Sequence, residues 1–125
     1  MGTAARGRSA YAHEAVLAME AGADVRAPAA AVTLALCGSW DHEPPCPLAP
    51  HHSSVEARGE GVRLRTVFAV EPALEHELRR LIDAALAEGQ LDGPSGPTTW
   101  RVRWSGPSAV LESETALACS LIEGD

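Results

Sequence analysis

Ser53-Ser-Val-Glu-Ala-Arg-Gly-Glu-Gly-Val-Arg-Leu-Arg-Thr-Val-Phe-Ala-Val70 is the stretch from which the rest of the chain takes its order. Two β-rich runs, Ser53 to Ala57 and Val62 to Val70, flank Arg58-Gly59-Glu60-Gly61, whose glycines permit positive φ in a tight turn; this predicts an antiparallel hairpin. Along the second run Val62, Leu64, Thr66, Phe68 and Val70 share one face and Arg63, Arg65, Val67, Ala69 and Glu71 share the other. A strand alternates its side chains, so the first set is expected on the core.

Downstream, Pro72 opens the clearest helix, with Leu74, Leu78, Leu81, Ile82, Ala85 and Leu86 at three- and four-residue steps and Gly89 past its end. The turn-rich run Asp92-Gly93-Pro94-Ser95-Gly96-Pro97 follows, and Thr98 to Trp104 resumes alternation, with Trp100, Val102 and Trp104 opposite Arg101 and Arg103. Gly106-Pro107 is expected to break that strand, and Glu112 to Ile122 to form a short helix burying Leu117, Ala118, Leu121 and Ile122. Upstream, Ala29 to Cys37 is almost wholly apolar, preceded by Asp24 and Pro28 and ended by Gly38, which predicts a buried helix. Tyr11 to Met19 fits a strand by alternation and a helix by its alanines and glutamates.

Taken as a strand, that first segment completes the series strand, helix, hairpin, helix, strand. The order resembles a ferredoxin-like βαββαβ sandwich of the α+β class with an extra C-terminal helix. The resemblance covers residues 11–105 as an ordering of elements, and such an architecture hosts enzymes, metal carriers and binding modules alike. At 125 residues the chain is read as one domain over residues 10–125, preceded by a small, polar, flexible N-terminus over residues 1–9.

The net charge is −7, and all ten cations are arginine. An acidic balance argues against nucleic acid as a partner, because phosphate binding needs a basic excess. No run of about eighteen apolar residues offers a membrane span, and no apolar run of signal-peptide length follows Arg6 and Arg8. The expectation is a cytoplasmic protein with no membrane partner.

The chemistry concentrates between Cys37 and His52, Cys-Gly-Ser-Trp-Asp-His-Glu-Pro-Pro-Cys-Pro-Leu-Ala-Pro-His-His. Thiolate and imidazole are ligands for zinc, and also for copper, whereas calcium and magnesium prefer oxygen. Cys37, His42, Cys46, His51 and His52 are therefore the candidate metal ligands, in a loop stiffened by Pro44, Pro45, Pro47 and Pro50. His51 and His52 are adjacent and leave an extended chain on opposite sides, so one of them is expected to stand off the ion. A Cys37–Cys46 disulfide and unrelated, simply packed cysteines are the rival readings, disfavoured by a reducing compartment and by the clustering of ligands. Four closed ligands would make a structural site; three with a water would make a Lewis acid, for which Asp41 and Glu43, surface charges on the plainer and favoured reading, are the candidate catalytic carboxylates and Trp40 either a cover or a core anchor. The residue pattern favours a structural or accessory zinc-binding module. A metal-dependent enzyme and a copper-handling protein are the alternatives.

Arg63, Arg65, Arg101 and Arg103 form a second group, since alternation sends all four away from the core. On a sheet covered by helices on one side they would offer an anionic small molecule or an acidic partner a common face, and Val67 and Ala69 beside them would suit a homodimer packed sheet to sheet. A simply solvated face is the plainer reading. His13 and His76 stand alone and read as surface residues, Cys119 reads as packing, and no nucleophile or phosphate-loop motif is present.

Overall fold

The computed structural model describes residues 7–37, 50–59, 61–93 and 96–123. It is an α+β protein built on a four-stranded sheet of order β2-β3-β1-β6, with every neighbouring pair antiparallel. The elements run β1 (Ser9–Ala18), α1 (Ala27–Cys37), β2 (His51–Arg58), β3 (Gly61–Val70), α2 (Glu75–Ala87), β4 (Gln90–Gly93), β5 (Gly96–Thr99), β6 (Arg101–Ser108) and α3 (Thr115–Glu123).

The first segment is a strand because it lies between β3 and β6 and must serve both faces. Tyr11, His13, Ala15 and Leu17 turn to α1 and α2, while Ala12, Glu14, Val16 and Ala18 turn to the other side. Beyond it, Asp24 Oδ1 accepts the amide of Arg26 at 3.0 Å in the turn entering α1, and Pro28 sits in that helix's first turn. None of residues 27–36 is exposed, as an almost purely apolar helix requires. The central hairpin begins two residues earlier than the sequence suggests, at His51, and Gly59 with φ +55° lies in its turn between Arg58 and Gly61.

Helix α2 buries Leu78, Ile82 and Leu86, and they meet Val32 and Leu36 of α1 and Ala15, Leu17, Leu64 and Phe68 of the sheet in one core. At the end of α2, Gly89 has φ +73° and a side chain there would come within 3.1 Å of the Trp100 carbonyl. Both the backbone conformation and the space require glycine. Trp100 is drawn inward by its indole Nε1–H, which donates to the Leu86 carbonyl at 2.9 Å.

Three expectations are corrected after α2. Gln90–Gly93 pairs with Gly96–Thr99 in a separate two-stranded sheet, β4–β5, where the sequence predicts a turn cluster over Asp92–Pro97 leading into one strand from Thr98. Gly106 and Pro107 do not end the following strand: β6 continues to Ser108, and as an edge strand it tolerates a proline without an amide to give. A register shift opposite Val16 and Leu17 then pairs Leu17 with Val102 and Val16 with Trp104, so Val102 and Trp104 lie on opposite faces of the sheet rather than sharing one with Trp100. Trp104 is half exposed, and its ring lies over Gly106, where a Cβ would come within 3.0 Å of it.

The face opposite α1 and α2 is not wholly open either. Helix α3 packs on β3 and β1 there, and Ala12, Val67 and Ala69 are buried beneath it. The two apolar residues expected to support a sheet-to-sheet dimer are thus covered by the chain's own last helix.

Candidate functional site

Arg65 sits at the edge of α3, and all five of its N–H groups are taken. Nε and Nη2 clasp the two carboxylate oxygens of Glu114 at 2.6 and 2.7 Å; Nη1 donates to Glu14 at 2.7 Å and to Ser108 at 2.9 Å; Nη2 also donates to the Ala109 carbonyl at 2.6 Å. Glu14 is the direct cross-strand neighbour of Arg65, so β1 supplies one acid and the turn before α3 the other. The hydrogen bonds from Arg65 hold the Glu114 carboxyl below its ordinary value against the opposing effect of burial, helped by the Leu111 amide, and the same bonds raise the Arg65 guanidinium. A ligand could engage Arg65 only by breaking this set, which leaves Arg63, Arg101 and Arg103 of the expected arginine face.

On the other side of the sheet, His13 is buried and held from both ring nitrogens. Arg79 Nη1 lies 3.0 Å from Nδ1 and donates to the Ala12 carbonyl at 2.7 Å; Asp83 Oδ1 and Ser105 Oγ lie 2.9 and 3.1 Å from Nε2. A guanidinium can only donate, so Nδ1 accepts and Nε2 carries the proton. Ser105 gives its own hydroxyl proton to Asp83 at 2.5 Å. Serine, histidine and aspartate thus come together in space, but the carboxylate and the hydroxyl share one ring nitrogen and Arg79 takes the other. Nucleophilic activation needs the hydroxyl and the carboxylate on opposite nitrogens. The cluster instead fastens α2 to β1 and β6, with the Arg79 guanidinium also resting 5.8 and 5.5 Å from the ring centres of Tyr11 and Phe68. Sequence reading missed it because His13, Arg79, Asp83 and Ser105 come from three separate elements.

The candidate metal loop enters at Cys37, the last residue of α1, and leaves at His51, the first of β2. Trp40, Asp41, His42, Glu43 and Cys46 lie outside the described residues. His51 pairs in register with Phe68 and turns to the helical face, where its Nε2 is 3.1 Å from Thr33 Oγ1, one helical turn before Cys37. His52 pairs with Val67, is exposed, and turns to the opposite face. Adjacent strand positions diverge, so His51 is the histidine of this pair that shares a side with α1. Among the described residues no group of three or more histidines, cysteines or acids is placed to hold an ion. His76 lies exposed on α2 and Cys119 exposed on α3.

Among the described residues, no helix is long and apolar enough to cross a membrane. No protein-family model matches the chain, and no curated protein matches it significantly.

Proposed function

We propose that the chain is a small cytoplasmic zinc-binding protein of ferredoxin-like arrangement, in which the metal serves a structural or accessory binding module. The observation that carries the metal reading is the Thr33–His51 hydrogen bond at 3.1 Å, which draws the end of the Cys37–His52 loop against the last turns of α1. A loop that leaves a helix at Cys37 and returns beside it at His51 would bring its two ends toward one ion, and Cys46 and His42, which lie between them in the sequence, would complete a soft donor set. The Thr33 hydroxyl on Nε2 would fix the orientation of a ligating His51 ring. The sheet order β2-β3-β1-β6, with one helix between β1 and β2 and another between β3 and β6, supports the ferredoxin-like arrangement.

Metal analysis of untagged protein purified without chelators tests the reading, and about one zinc per chain is expected. Protein that carries neither zinc nor copper, and gains no thermal stability from either, would overturn it. Selective uptake of Cu(I) with exclusion of zinc would transfer the site to copper handling.

A further inference from the structure

At the end of the sheet where β1 finishes and β3 begins, a cleft of about 890 Å³ opens between the connection leaving β1, the tip of the β2–β3 hairpin and the start of β6. Its size falls within the range of small-molecule sites. Trp100 borders the cleft from the core side, Met19 and Val25 add apolar lining, and Arg101 and Arg103 line the same cleft. The register shift opposite Val16 and Leu17 re-aims this part of β6, a common role of bulges beside binding sites.

The surroundings make these two arginines unusual. The protein has 17 acidic residues against ten arginines, and Arg26, Arg65, Arg79 and Arg80 each meet a carboxylate. Among the described residues Arg8, Arg63, Arg101 and Arg103 do not. Two of these four line the cleft. Arg63 stands on the face of Arg101, one row along, since Arg63 pairs with Val16 and Val16 with Trp104 while Arg101 pairs with Ala18. Its Nε is buried without a hydrogen-bond partner. Glu20 is the one carboxylate among the described residues of the lining. Unneutralised guanidinium groups in a concave wall focus positive potential even on an acidic protein, and their planar donor forks match carboxylate and phosphate oxygens.

We propose that this cleft binds a small organic anion bearing phosphate or carboxylate groups, held by Arg101 and Arg103, with its apolar part against Met19 and Val25. Calorimetric titration of the whole protein at low salt, with inorganic pyrophosphate and separately with citrate, tests it. At least one probe is expected to bind saturably at one per chain, and the one that binds identifies the anionic group. Arg101→Ala and Arg103→Ala should each weaken binding about tenfold, as the loss of a charge-assisted hydrogen bond implies. Arg8→Ala removes an equally unpaired charge before the far end of β1 and should leave binding unchanged. The proposal fails if neither probe saturates, or if Arg8→Ala weakens binding as much as the cleft variants do. It also fails if Cys37→Ser abolishes binding while Arg101→Ala and Arg103→Ala do not, because the anion would then belong to the metal loop. Both cleft arginines are exposed, so their variants should keep the parent melting temperature.

Discussion

Two arginines two positions apart on one strand end in opposite situations. Arg63 and Arg65 look identical to an alternation rule, yet Arg65 has every donor satisfied by groups 43 to 51 residues away, whereas Arg63 buries an Nε that has no hydrogen-bond partner among the described residues. His13 is the same lesson on the other face. Isolated in sequence, it reads as a surface residue, but the fold buries it between Arg79 and Asp83. The geometry assigns that cluster to fastening rather than catalysis, which has a chemical consequence. Ser105 should not be labelled by a serine-directed fluorophosphonate, because no unprotonated nitrogen faces its hydroxyl. Ser105→Ala should cost about 1 kcal/mol in urea unfolding, whereas His13→Ala, which strands a buried guanidinium donor and leaves a cavity, should cost about 2–3 kcal/mol. Specific labelling of Ser105 would reverse the assignment.

At the scale of elements, strong periodicity was the legible signal. Helix α2 and the β2–β3 hairpin announce themselves through leucine spacing and glycine punctuation, and the structure places them within two or three residues of the expected bounds. Strand β6 was legible only in part, since the shift that separates Val102 from Trp104 arises from pairing with β1 and leaves no mark on β6's own residues. The extra helix α3 was visible, but not its docking site, because its anchor is the Arg65–Glu114 pair and not its modest apolar face. That anchor makes α3 acid-sensitive. Glu114 titrates below its ordinary value of 4.5 when folded, so its contribution is complete above about pH 4.5 and disappears as the pH falls through the lower folded value. Arg65, whose guanidinium is raised further by the same bonds, stays charged throughout this range. Hydrogen exchange should therefore show α3 amides opening ahead of β1 and β3 as pH is lowered from 7 to 3. In Glu114→Gln the helix should exchange faster at pH 7 and depend less on acid. An α3 that exchanges in step with the central strands at both pH values would show that the ion pair does not hold it.

For the molecule as a whole, the sheet is held from two sides by different chemistry. On one side α1 and α2 close an apolar core over β1 and β3; on the other, α3 covers part of the face, tied down through an ion-paired arginine, and Trp104 and the cleft arginines remain exposed. The connection from α1 to β2 is the segment in which the candidate soft ligands are concentrated in the sequence. An ion bound there would tie Cys37, at the end of a core helix, to the start of an edge strand. Unfolded chains hold no such site, so metal affinity would appear directly as folding stability. Cys37→Ser and Cys46→Ser should each lower zinc content and melting temperature together, and chelation should bring the parent protein down to the same melting temperature. Cys119, exposed on α3 on the other face of the sheet, provides the contrast: Cys119→Ser should change neither quantity. Should the two loop variants lose zinc at unchanged melting temperature, the ion would be peripheral to folding, and an open, reactive or metal-transferring site would become the better reading of the same ligands.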